Sequence, residues 1–373
     1  MLNARMSALM VFCLGWFATT GALAAEPPIH PAELPNGFSL GRGVNVSHWL
    51  SQSQVRGAAR ERYVTEEDFR RIAELGFDHV RLPFDEEQLW DEQGARQEEA
   101  FDLLHRAVQW SLAHGLKVVA DLHVLRAHHF NRPDSRRLWE DPAAQAQFLD
   151  AWRQLSAELG RYPVEHLAYE PLNEAVADNP EEWNRLINRV IAELRRLEPE
   201  RGIVMGSNRW QQVFTFAELQ IPGNDPNIIL SFHYYSPFVL THYRASWTDI
   251  RDYAGPVHYP GSTVAAQDLE GLPTALRDSL AVHNDDWSAE LMERQILLAV
   301  DVARQHGLPL YCGEFGAFPT TPVDLRQHWY RDLAGIFQKH GIAWAHWNWK
   351  NDFPLVSEDG VPDRALLDIL LGQ

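Results

Sequence analysis

Two glutamates in this 373-residue sequence stand where chemistry could be done. Glu174 directly follows Asn173, and Glu314 lies in the run Gly313-Glu314-Phe315-Gly316; each comes at or just past the end of a short apolar stretch. Other polar or aromatic residues occupy similar places: Asn45, Arg81, His123, Asn208, His233 with Tyr235, and Trp347. Taken singly, a histidine or arginine in such a place is more often a structural hydrogen-bonder than a catalyst. A whole set converging on one rim is harder to explain structurally, because buried polar groups cost free energy unless paired. Two opposed carboxylates can open an acetal, one protonating the leaving oxygen and the other acting as base or nucleophile. The competing reading is a divalent-metal site. It needs more ligands, and Asp121 and Glu170 lie one or two residues below the rim. His123, His128 and His129 also lack a zinc spacing with a third ligand. No metal and no cofactor are expected.

The stretches that would position these residues are short and apolar, bounded by Gly, Pro or polar residues: 43–46, 79–83, 118–122, 167–171, 203–206, 228–232, 309–313 and 343–347. That is the pattern of buried parallel strands. Helical periodicity fills most of the gaps. Over 181–197, Trp183, Leu186, Ile187, Val190, Ile191, Leu194 and Leu197 form one stripe. Similar stripes cover 101–114, 148–159, 291–303 and 325–337, with a last helix at 364–371, and Gly115, Gly307 and Gly341 fall where helices should stop. Strands alternating with helices in this way predict an α/β fold, a (β/α)8 TIM barrel formed as one catalytic domain over residues 25–373. An open doubly wound sheet is the runner-up, but no Gly-x-Gly-x-x-Gly follows the first strand. The longest loop, 234–287, joins strand six to helix six and is rich in aromatic residues. It reads as one wall of a substrate cleft. Trp247 and Tyr253 sit in it among polar residues, and at least one of them is expected to line a sugar subsite.

In such a barrel strands four and seven are three apart around a ring of eight. Glu174 and Glu314 then face each other across the C-terminal mouth, where active sites of this fold lie. The sequence resembles the cellulase-type members of glycoside hydrolase family 5. The resemblance is carried by Asn173-Glu174, Glu314 in its Gly-Glu-Phe-Gly run and His233-Tyr234-Tyr235. Arg81 in Val80-Arg81-Leu82-Pro83, His123 in Asp121-Leu122-His123, and Trp347 add to it, and it extends from Gly43 to about Lys350. It implies a retaining glycosidase in which Glu174 is the acid/base and Glu314 the nucleophile. One departure is Ala175, where many members carry proline; this should alter the loop more than the chemistry.

Those roles carry physical requirements. Glu174 must be protonated near neutrality, which needs an apolar setting or a negative neighbour. Glu314 must stay ionised, and Arg81 with the Tyr235 hydroxyl could stabilise it. Asn173 would bond the sugar 2-hydroxyl, His123 and His233 would orient the sugar and the acid, and Trp347 would offer a flat stacking face. A core role for Trp347 is the alternative.

Composition narrows the partners. Lys plus Arg number 33 against 51 Asp plus Glu, a formal charge of −18, which argues against nucleic acid. Residues 1–24 read as a signal peptide: Arg5, a largely apolar stretch over 7–18, and Ala22-Leu23-Ala24 as cleavage site. The apolar stretch is well short of the ~20 residues that span a bilayer, so no membrane insertion is expected. The protein should be exported, periplasmic or secreted, and monomeric. Its removal takes Cys13 and leaves Cys312, hence no disulfide. With no linker, no carbohydrate-binding module is expected.

The expected activity is that of a retaining endo-acting β-glycanase on a polysaccharide or oligosaccharide, with β-1,4-glucan as the first candidate. Mannan, xyloglucan, β-1,3-glucan and bacterial exopolysaccharide stay open, because loops select the substrate. A non-catalytic carbohydrate-binding barrel and a metal-dependent hydrolase are the alternatives from other classes.

Overall fold

A computed structural model describes residues 32–132, 135–357 and 359–372. The signal-peptide reading and Cys13 lie outside them. Eight parallel strands close into a barrel: β1 (Arg42–Asn45), β2 (His79–Asp85), β3 (Lys117–Val124), β4 (Leu167–Glu170), β5 (Gly202–Gly206), β6 (Ile228–Tyr234), β7 (Leu310–Phe315) and β8 (Ala343–His346), with β8 pairing back onto β1. Each expected strand is present, displaced by two residues at most at either end. The outer helices are α1 (Glu66–Glu74), α2 (Glu98–Ala113), α3 (Pro142–Leu159), α4 (Pro180–Leu197), α5 (Ala289–His306), α6 (Val323–His340) and α7 (Arg364–Leu371).

The helices begin and end for local reasons. Asn179 caps α4 by accepting from the Glu182 N–H at 3.1 Å, with Pro180 at the first helical position. Gly307 and Gly341 end α5 and α6 at φ of 63° and 65°, a left-handed turn that a side chain resists. The crossover from β5 to β6 departs from the pattern. It holds no long helix, only a 3-10 turn at Val213–Glu218 against which α5 packs.

Strand alternation sorts the interior into layers. Outward residues such as Val80, Leu82, Val118, Ala120, Leu122, Ile203, Met205 and Phe232 join the helices in the main core. Val119, Ala168, Val204, Ile229, Tyr311, Ala343 and Ala345 form a second apolar cluster with Ala32, Leu34, Phe38 and Leu40, so a short antiparallel hairpin (Ala32–Glu33 with Ser39–Leu40) plugs the floor. One step further along the same strand faces come Arg81, Asp121, Glu170 and Ser231, all buried and polar. The floor is apolar and the mouth is charged.

A bulge aims Glu314. In the β6–β7 ladder Cys312 pairs with Phe232 and Glu314 with His233, leaving Gly313 as the extra residue. Tyr311 faces inward and Cys312 outward; without the extra residue, strict alternation would turn Glu314 outward. A Cβ on Gly313 would lie 3.0 Å from Ser231 Oγ and 3.1 Å from His233 Nε2, so glycine fits this tight place best.

The long segment between β6 and α5 contains short helices (Phe238–Thr241, Ala266–Leu269, Thr274–Val282) and a two-residue strand pair. Most of its rings pin it down. Tyr253 is buried with its hydroxyl on the Pro256 carbonyl (2.6 Å), Tyr259 donates to Asp332 of α6 (2.7 Å), and Tyr243 donates to the Gly255 carbonyl (2.9 Å). Trp247 differs: it is 44 % exposed.

Candidate active site

Arg81 organises the mouth. Its buried guanidinium meets Glu170 through Nε (2.6 Å) and Nη2 (3.1 Å), Asp121 at 3.0 Å and Glu314 at 2.6 Å. It also donates to the amide oxygens of Asn45 (3.0 Å) and Asn173 (2.8 Å). One cation cannot keep three buried carboxylates fully ionised. Burial pushes Asp121 and Glu170 up to about 7 each, with Arg81 pulling both back down.

The two candidate carboxylates meet beside this cluster. A carboxylate oxygen of Glu174, a carboxylate oxygen of Glu314 and a ring nitrogen of His233 all lie within 4.8 Å of one another. Burial, and then the charge of Glu314, hold the Glu174 carboxyl well above the ordinary carboxylate range. Burial also raises Glu314, but Arg81 opposes the shift, and the Tyr235 hydroxyl donates to its other oxygen at 3.0 Å. The shared proton therefore belongs on Glu174. His233 Nδ1 sits 2.9 Å from Glu174 and 3.6 Å from Glu314, and burial keeps the ring neutral. His123 is likewise buried and neutral, tied to Asp121 through Nδ1 at 2.7 Å. Among the described residues Asn173 Nδ2, His123 Nε2 and His233 Nε2 are buried without a hydrogen-bond partner; the first two are left for a ligand's oxygens, while His233 Nε2 packs against Gly313.

Glu174, His233 and Glu314 could offer three ligands to a cation. The setting is unsuited to one: Glu314 is already held by a guanidinium and a hydroxyl, and His233 Nδ1 faces Glu174. A divalent ion would have to sit against the charge of Arg81.

Several of the remaining residues serve as supports. Asn45 is a support, its amide nitrogen donating to the bulged Gly313 carbonyl at 3.0 Å while its oxygen holds Arg81. Asn208 is also a support. Its amide exchanges two hydrogen bonds with the Ala177 backbone (2.8 and 3.1 Å), fixing the loop after β4. Trp347 is buried and lies parallel to the His123 ring, at 5.4 Å between centroids, so one of its faces is already covered. Sequence reasoning set Asp121 and Glu170 aside, yet they hold His123 and Arg81. The signal was available: Asp121 is two residues before His123 on one strand face, and it pairs with Glu170 across the β3–β4 ladder. Gln211 gave no signal.

A carboxyl that keeps its proton, facing one held as an anion, is equipment for opening a sugar acetal, and the chain is a glycoside hydrolase. Comparison with known proteins fixes the kind. Residues 41–353 match the cellulase family (glycosyl hydrolase family 5), and the chain belongs to it. It is 31 % identical to Endoglucanase C of Acetivibrio thermocellus over 340 residues, covering 89 % of this chain and 98 % of that one. It is 28 % identical to Cellodextrinase A of Ruminococcus flavefaciens, over 81 % of this chain and 83 % of the relative. Among solved structures, a hyperthermophilic endo-β-1,4-glucanase in complex with substrate superposes with a TM-score of 0.73 at 24 % identity, covering 90 % of this chain and 97 % of that one. The cellulose synthase subunit Z of Clostridioides difficile gives 0.72 at 23 %, over 89 % and 100 %.

Proposed function

We propose that the protein is a retaining endo-β-1,4-glucanase working by double displacement, with Glu174 as acid/base and Glu314 as nucleophile. The observation that carries this is the close approach of the two carboxylates, an oxygen of each lying within 4.8 Å of the other and of a His233 ring nitrogen. An inverting enzyme needs ~6.5–9.5 Å between its carboxyl groups to admit a water, whereas a retaining one has them ~5–5.5 Å apart. In the first step Glu314 attacks the anomeric carbon as Glu174 gives its proton to the departing oxygen, leaving a glycosyl ester on Glu314. In the second, Glu174 takes a proton from water, whose oxygen displaces Glu314 and releases the sugar with its configuration retained. Arg81 and Tyr235 stabilise the Glu314 anion before attack and after release. The open Nδ2 of Asn173 suits the 2-hydroxyl, a contact that strengthens as positive charge develops on the ring. The choice of β-1,4-glucan rests on the relatives' names, endoglucanase and cellodextrinase.

Export to the periplasm or beyond is part of the proposal and rests on residues 1–24. Among the described residues no helix is long and apolar enough to cross a membrane.

Proton NMR of the first products from a cello-oligosaccharide tests the mechanism, and viscosity against reducing ends on a soluble cellulose derivative tests the endo mode. The β anomer should appear first and viscosity should fall ahead of reducing ends. An initial α anomer overturns the double displacement.

A further inference from the structure

Glu174 is held by its backbone as well as its carboxyl. Its φ is +44°, a left-handed conformation that a non-glycine residue adopts only at a cost, so the surroundings must impose it. Two side chains grip the peptide groups on either side. Gln211 Oε1 accepts from the Glu174 N–H at 2.9 Å, and His128 Nε2 meets the Glu174 carbonyl at 3.1 Å.

Gln211 arrives by an unusual route. Arg209, Trp210 and Gln211 all have positive φ (55°, 62° and 52°), three successive left-handed residues just after β5. Such a turn is disfavoured for L-residues, because each Cβ comes too close to the following carbonyl oxygen. It persists because it is tied at each step: Arg209 to the Asp178 carbonyl (3.0 Å), Trp210 N–H to the Ala175 carbonyl (3.2 Å), and the Trp210 indole to the Phe130 carbonyl (3.0 Å). The turn drives the Gln211 side chain down over β5, where Gly206 leaves the space. A Cβ on Gly206 would come within 2.4 Å of Gln211 Cγ and Cδ. The amide then has its oxygen on Glu174 and its nitrogen on Ser231 Oγ (3.2 Å) and Glu170 Oε1 (3.3 Å). Strand five thus fills its place in the polar layer with a side chain borrowed from five residues downstream.

We propose that Gln211 is a positioning residue for the acid/base. It locks the Glu174 backbone in the conformation that presents the carboxyl to His233 and Glu314, and it ties that backbone to the Arg81 cluster through Glu170. This rests on the reading of Glu174 as acid/base. A residue that only supports the fold would affect every substrate alike. One that positions a general acid matters in proportion to how much the leaving group needs a proton.

The test compares Gln211→Met, which keeps volume and loses all three side-chain hydrogen bonds, with Glu174→Ala and the parent enzyme. Each is assayed on a cello-oligosaccharide and on 2,4-dinitrophenyl β-cellobioside, with melting temperatures recorded. Gln211→Met should lose about 10- to 100-fold in kcat/KM on the oligosaccharide, a fraction of the ~10²–10⁴ that a general acid supplies, and under about threefold on the activated glycoside. Its alkaline limb should also shift on the oligosaccharide alone. Gln211→Glu, isosteric and able to keep an oxygen toward the Glu174 N–H, should recover most of the loss at acidic pH, and serves if the Met variant does not fold. Equal losses on both substrates, or none, overturn the proposal. If Glu174→Ala shows the split and Gln211→Met does not, only the Gln211 assignment falls. If Glu174→Ala itself shows no split, the acid/base reading falls and takes this one with it.

Discussion

The two sides of the barrel mouth are built by opposite means. On the strand side Arg81, Asp121, Glu170, His123 and Glu314 project from the adjacent β2, β3 and β4 and from β7 across the barrel, held by charge-assisted contacts of 2.6 to 3.1 Å with almost no exposure. On the other side lies the segment between β6 and α5, whose rings are mostly spent on anchoring it, with Trp247 left outward. One side gets its geometry from ladder register, the other from many small local contacts. The strand side can carry chemistry that tolerates little displacement. The inserted side can vary in sequence without disturbing it, which is what a surface for additional sugars requires.

That contrast makes ordered claims. The largest effect should come from Glu314, where the register, the bulge and Arg81 converge. Glu314→Gln should lower kcat by at least about 10⁴-fold on any substrate, activated aryl glycosides included, because no covalent ester can form. Steady-state rates on 2,4-dinitrophenyl β-cellobioside check it. A residual activity of several per cent would show that the nucleophile is elsewhere.

A subtler test concerns a strand-borne carboxyl that Arg81 does not reach. Asp85, at the end of β2, is only 3 % exposed; it accepts the Gln52 N–H at 2.6 Å, and its Oδ1 has no partner among the described residues. Burial raises its pKa to about 8. The unfolded value is about 3.9, so the folded state holds the proton more tightly. The stability that goes with it is complete below about pH 4 and is lost as pH rises toward 8. Asp85→Asn mimics the protonated acid. Its melting temperature should match the parent near pH 4 and exceed it increasingly up to pH 8–9, by roughly 1–1.5 °C for each kcal/mol recovered. Calorimetry across that range checks it. A gap that does not change with pH would mean Asp85 is ionised throughout in the folded protein.

What could be read in the sequence follows the same division. Strand positions were legible because buried parallel strands have apolar runs with sharp ends, and the carboxylates follow those ends. Glu314's inward direction was not, since alternation from Tyr311 points it outward and only the Gly313 bulge corrects this. Asn208 is the residue that the sequence offers just past the end of strand five. The structure gives that place to Gln211, through three left-handed residues that propensity would never suggest. The missing helix after β5 has the same origin, since the chain there is committed to gripping the loop after β4. In the long segment, aromatic content signalled a cleft wall, but content cannot distinguish Tyr253, folded back on Pro256, from the outward Trp247.

The smallest expected effect belongs to Trp247. Its ring meets Phe318 (5.1 Å), Phe353 and His242 (both 6.2 Å) edge-on or tilted, and Phe353 in turn lies 6.0 Å from Tyr235, the residue that bonds Glu314. A line of aromatic rings thus leads from the reacting carboxylate out to an exposed indole. A sugar stacked there would gain on the order of 0.5–1.5 kcal/mol beyond area burial, if aromatic pairs are a guide. That is about a threefold to tenfold effect on affinity. Trp247→Ala should therefore raise KM for a long soluble glucan by that factor, leave the short aryl cellobioside unchanged, and leave the melting temperature within about 1 °C, since the indole is 44 % exposed. Equal losses on both substrates together with a melting temperature several degrees lower would make Trp247 one more anchor, and the inserted side would then hold no sugar through that ring.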